Sequence, residues 1–227
     1  MRLMMLNGSE DPIKLTTKDN KIIECDNQVK VFGWWSNPSN SMATHLSRIK
    51  SVVHFQLSTL RPAMRYLSMC QRREVVRSKV LSKLYYGLCL FSGQTEKIKS
   101  ELYALIMYCY RVIYGQNTYM MRNSTICKKI EMDEPNQVIV KAAVSLIQKI
   151  HKNQYPKDIS NLFRHQRLGR RDHPLALEYA PRTNKFRRVY LNSAVDIFNS
   201  IDPKIRNLDW KRFKLTLSKC NLNFDPG

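Results

Sequence analysis

Glycine and acid are both scarce in this chain. Seven glycines in 227 residues is about half the usual frequency, and they are nowhere strung into a phosphate-cradling loop. Eighteen Asp and Glu face thirty-eight Lys and Arg, and no two aspartates are adjacent. The neighbouring acids Glu10-Asp11 and Asp133-Glu134 fall in a turn and before Pro135. Neither pair has beside it the apolar strand that a dry two-metal site requires. The five histidines, at 45, 54, 151, 165 and 173, show no HxxxH or HExxH spacing, and the six cysteines form no CxxC or CxxH. A zinc finger, a knuckle and a recognisable enzyme are therefore not expected, and no cofactor or metal site is expected in this chain. No apolar run reaches the ~18 residues of a membrane span, and no signal peptide precedes the first strand. The expectation is an intracellular protein, nuclear or cytoplasmic, with reduced thiols and no membrane contact.

Positive charge dominates what is present. The formal net charge is +20 and the isoelectric point about 9.9, which points to an extended polyanionic partner, most simply nucleic acid. Hydrophobic content of 43% supports a packed core, and the shortage of glycine favours helix over an all-β fold.

Along the chain the hydrophobic period changes once. RLMML (2–6), PIKLT (12–16), KIIEC (21–25) and VKVFG (29–33) read as strands separated by turn residues, a small antiparallel meander. Two tryptophans follow Gly33, a residue that permits positive φ or close approach of the backbone to another group. From Asn40 the period is 3.6. Met42, Leu46, Ile49, Val53, Leu57 and Leu60 predict a first helix. Val76, Val80, Leu84, Leu88 and Phe91 predict a second, ending at Ser92-Gly93, and Ile98 to Ile113 a third, ending at Gly115. A short piece around 123–131 leads to a helix bearing Val140, Val144, Ile147 and His151. Leu191 to Ile201, a turn at Pro203, and Trp210 to Cys220 close the helical pattern. Cys70, Cys89 and Cys109 fall in apolar patterns and read as small core residues.

Two basic segments interrupt this scaffold. Arg61, Arg65, Arg72, Arg73, Arg77, Lys79 and Lys83 crowd the junction of the first two helices with only Glu74 among them. Residues 164–188 carry eight cations, Arg164, Arg167, Arg170, Arg171, Arg182, Lys185, Arg187 and Arg188, against two acids. With two prolines and no helical period, this stretch reads as a basic loop or irregular ribbon. Both segments are candidate phosphate contacts.

Read in order, the segments resemble the C-terminal part of reverse transcriptases of non-LTR (LINE-type) retrotransposons. RLMML resembles the strand after the catalytic hairpin. Lys30-Val31-Phe32-Gly33 and His45-Leu46 resemble the primer-grip strand and the opening of the thumb helix. Tyr86-Gly87 resembles the end of the next helix, and Arg111, Ile113 and Gly115 the close of the one after it. Phe198-Asn199-Ser200, Pro203, Ile205-Arg206 and Phe213-Lys214 resemble the family's closing motif. The resemblance implies an α+β, mostly α fold in three parts. Residues 1–36 would be the end of a palm sheet, 37–115 a thumb-like bundle, and 116–227 a C-terminal helical extension. It further implies that Lys30 and Gly33 approach the primer backbone, and that one tryptophan packs on the thumb and the other on the palm. The catalytic aspartates and their magnesium would lie upstream of Met1. The expected function is gripping a template–primer duplex, with the palm and fingers as a further partner. The parent family is an RNA-directed DNA polymerase, and this chain alone is expected to be inactive. The alternatives are a stand-alone basic helical RNA- or DNA-binding module, or a non-enzymatic interaction protein for an acidic partner.

Overall fold

The structure is a computed structural model. It describes residues 15–16, 22–23, 29–31, 33–36, 42–115, 118, 120–153, 156–165, 175–177 and 190–220. These residues are mostly helical. They belong to two compact units, residues 1–60 and 61–227.

The first unit holds two separate antiparallel strand pairs. β1 (Leu15–Thr16) pairs with β2 (Ile22–Ile23), and β3 (Val29–Val31) with β4 (Trp34–Ser36). A continuous meander is not what the described residues form: the pairs are β1 with β2 and β3 with β4, and RLMML lies outside the described residues. Val31 pairs with Trp34, and Gly33 between them has φ +88°, so the tryptophans form the return strand of a hairpin. A left-handed turn position is where glycine costs least. α1 (Ala43–Met64) begins in this unit and buries Leu46, Val53 and Leu57 at the predicted spacing.

In the second unit, α2 (Met69–Val76) runs through a π-turn (Arg77–Leu81) into α3 (Ser82–Tyr85). The helix starts at a capping box, in which Ser68 Oγ accepts from the Gln71 N–H and Gln71 Oε1 from the Ser68 N–H. It stops at Tyr85, ahead of the expected Ser92-Gly93. Leu88–Phe91 instead form a 3-10 turn, whose three-residue period puts both Leu88 and Phe91 inside. Cys70 is exposed rather than buried, because it sits in the solvent-facing first turn of α2 beside half-exposed Met69.

α4 (Glu96–Tyr114), α5 (Asn123–Lys129) and α6 (Pro135–Asn153) fall where periodicity places helices. Beyond them lie α7 (Lys157–Ser160), a β5–β6 ribbon (Phe163–His165 with Leu175–Leu177), α8 (Tyr190–Asn199), α9 (Pro203–Arg206) and α10 (Trp210–Lys219). α6 packs against α8, α10 and the 3-10 turn, around Val144, Ile147, Ala194, Phe198, Phe213 and Leu217. α4 packs on both α5 and α6.

Two polar devices tie the second unit together. The Tyr110 hydroxyl donates to the Asp133 carbonyl (3.1 Å), so at the 3.0 Å contact between the two hydroxyls Tyr85 must be the donor. The Asn199 amide accepts from the Leu175 N–H (2.9 Å) and donates to the Leu175 carbonyl (2.7 Å), pinning β6 to α8.

Candidate nucleic-acid interface

The first basic segment is built around the elbow between α1 and α2. α1 ends at Met64, which is buried. The chain then turns through Tyr66 and Leu67, whose N–H groups donate to the Ala63 and Met64 carbonyls (3.1 and 3.3 Å). The capping box at Ser68 opens α2 immediately afterwards.

This local geometry sorts the seven cations into different jobs. Arg72 turns back, its Nε donating to the Leu67 carbonyl (2.8 Å). Its guanidinium lies over Gly115, where a Cβ would stand 2.6 Å from Nη1. Gly115 closes α4 with φ +104°, a region that penalises any other residue. Arg73 reaches across to the end of α5. Its Nη1 donates to the Ile130 carbonyl (3.1 Å) and to the Glu131 carboxylate (2.7 Å), while its Nε stands 3.7 Å from Glu74. The hydrogen bond it donates to Glu131 pushes the guanidinium pKa up. Glu131 itself has φ 54°, so this clamp holds a non-glycine residue in a left-handed conformation. Arg72 and Arg73 therefore bind the protein's own backbone and acids.

Arg61, Arg65 and Arg77 do the opposite. All three are exposed, and none forms an ion pair among the described residues. Arg61 lies in the last turn of α1 and Arg65 directly follows its end. Arg77 opens the π-turn, whose wide backbone is closed by the Ser82 N–H bonding to the Arg77 carbonyl. Lys79 and Lys83 are exposed on the same continuous helix.

The remaining candidates lie elsewhere. In the first unit, Lys30 is exposed with Nζ 5.9 Å from the centre of the Trp35 ring, and Gly33 is exposed at its turn. Arg48 of α1 covers the Trp35 ring at 3.6 Å, and the Trp34 ring meets His45 at 3.9 Å. Both tryptophans thus find partners on α1. The Trp35 N–H donates to His45 Nδ1 (3.4 Å), which leaves the ring proton on Nε2, a buried atom without a partner. Burial brings the His45 pKa down to about 4. In the 164–188 segment, Arg164 lies in β5 opposite Ala176. Arg167, Arg170, Arg171, Arg182, Lys185, Arg187 and Arg188 lie outside the described residues.

A cleft of about 230 Å³ is lined by Ser92, Lys99, Tyr103, Asn136 and Ser193, but Lys99 is paired with Glu96 (2.9 Å). Among the described residues no group of three or more His, Cys, Asp and Glu could hold a metal, and no helix is long and apolar enough to cross a membrane.

One surface feature has no counterpart in the sequence reading: Tyr66, 89% exposed beside Arg65. A single aromatic residue with no period around it carries no sequence signal of this kind. No family model, curated protein or solved structure compared with the chain matches it.

Proposed function

We propose that the chain binds nucleic acid as the thumb and connection region of a reverse-transcriptase-like polymerase, holding a template–primer duplex. In this reading the fold is α+β. The strand pairs within 1–36 are the end of a palm sheet, 37–115 is the thumb, and 116–227 is the helical extension. The catalytic aspartates and magnesium belong to palm and fingers outside this sequence.

The observation that carries the reading is the outward display of Arg61, Arg65 and Arg77, without an ion pair among the described residues, on a chain of net charge +20. A solvated helix face normally intersperses both signs, which cancels its field. Here residues 61–73 contain four arginines and no acid. Exposed cations of that kind gain from displacing the counterions of a polyanion. The ordered resemblance in the sequence supports the narrower assignment to a polymerase thumb.

Salt dependence tests it. Engagement of six to eight phosphates gives a slope of log K against log salt of about −5 to −7 on an RNA–DNA hybrid. The triple variant Arg61→Ala, Arg65→Ala, Arg77→Ala should be folded and shallower by about 2 to 3. A slope near zero for the wild-type chain would remove the nucleic-acid reading.

A further inference from the structure

The Tyr66 side chain projects into solvent. It is 89% exposed, and among the described residues its hydroxyl forms no hydrogen bond. A large aromatic ring left in water gains nothing for the fold. The backbone that carries it is nonetheless firmly held. The Tyr66 and Leu67 N–H groups bond back to α1, Arg72 grips the Leu67 carbonyl, and the capping box fixes Ser68. Buried Met64 on one side and half-buried Leu67 on the other anchor the turn in sequence. The ring is presented on a pinned turn.

Its surroundings decide what it is presented to. Arg65 precedes it and Arg61 lies one helical turn earlier, both exposed and without ion pairs among the described residues. The nearest acid following in sequence is Glu74, which stands 3.7 Å from Arg73. Arginines of this kind attract phosphate, but a phosphate offers nothing to a flat apolar ring. The part of a nucleic acid that does is the face of a base. In a duplex that face is covered by its stacked neighbours, so only an unpaired nucleotide can use the ring.

We infer that the α1–α2 elbow binds an unstacked nucleotide, with Tyr66 as the stacking platform and Arg61 and Arg65 holding the flanking phosphates. The ligand class is single-stranded or frayed nucleic acid adjoining a duplex. This rests on the nucleic-acid reading above and adds to it a strand state and a recognition residue.

The experiment uses the full chain and two probes: a short duplex with a single-stranded tail, and the same duplex whose tail is abasic. The two probes carry the same phosphates and differ only in the tail bases. Wild type, Tyr66→Ala and Tyr66→Phe are titrated against both at one salt concentration. Stacking of one base predicts that Tyr66→Ala weakens binding of the normal tail by about 5- to 100-fold and leaves the abasic tail unchanged within about 2-fold. Tyr66→Phe keeps the ring and should bind both probes like wild type. An equal effect of Tyr66→Ala on both probes, or none on either, overturns the stacking role while the thumb reading stands. If wild type binds neither probe, or binds polyglutamate as tightly as nucleic acid, both readings fall.

Discussion

At the scale of single residues, three positions carry consequences beyond their own contacts. Gly115 is doubly constrained, by φ +104° and by Arg72 Nη1 at 2.6 Å from a hypothetical Cβ. Gly115→Ala should destabilise the chain by about 2–4 kcal/mol in denaturant unfolding, combining backbone strain with displacement of Arg72. In an Arg72→Ala background the steric part disappears and only the strain, about 1–3 kcal/mol, should remain. Equal costs in both backgrounds would show that the guanidinium yields freely. His45 is the second position. Its pKa is depressed to about 4 by burial, so the folded chain resists a proton that the unfolded chain accepts near 6.5. The stabilising effect of the neutral ring is complete above the unfolded value. It is lost progressively as pH falls from about 6.5 towards 4. Between pH 7.5 and 5 the loss should be about 2 kcal/mol, read by tryptophan fluorescence during denaturant unfolding. His45→Gln keeps an acceptor for the Trp35 N–H without titrating in this range, and should flatten that dependence. The third position, Arg73, is a clamp: losing it leaves the Ile130 carbonyl and Glu131 without their shared donor.

At the scale of elements, the π-turn is the most informative feature. The buried residues Val76, Val80, Leu81 and Leu84 follow the spacing i, i+4, i+5, i+8. An ordinary helical stripe runs i, i+3, i+4, i+7, so the sequence holds one residue too many after Val76. The wide turn Arg77–Leu81 absorbs it and returns Leu84 to the core. Deleting Ser78, an exposed residue inside the turn, should therefore restore a regular helix and change stability by less than about 1 kcal/mol. Deleting Lys83, equally exposed but beyond the turn, rotates Leu84 off the core and should cost several kcal/mol. Thermal unfolding of the two deletions separates these outcomes. Similar losses in both would mean that the turn is required as it stands.

At the scale of the whole molecule, the first two strand pairs precede every described helix in the sequence. Every helix described here begins at Ala43 or later, and the outward arginines lie at 61 and beyond. Deleting residues 1–36 should leave the helical circular-dichroism signal per molecule nearly unchanged and cost only modest duplex affinity. The same deletion removes Trp34 and Trp35 from His45, so the local pH dependence described above should weaken with it. A truncated chain that loses its helical signal would make the hairpin an integral part of the helical body.

The sequence by itself determined the helices, because a 3.6-residue apolar stripe is a local property: burial follows at Val53 and Leu57, at Leu102 and Ile106, and at Val144 and Ile147. It also determined the charge, which depends on no geometry at all. Tertiary structure decided everything that depends on what a residue meets. Arg72, Arg73 and Arg77 look alike in one basic run, yet the first covers Gly115, the second clamps Glu131 and the third faces water. Cys70 looked like core and is exposed, because the start of α2 fixes which way its first turn faces. Gly33 read as a strand end and is a hairpin turn, because only pairing with β4 reveals that the chain reverses there. Tyr66 drew no notice in the sequence, since a single aromatic residue has no period. Its exposure on a pinned turn exists only once α1 ends and α2 begins.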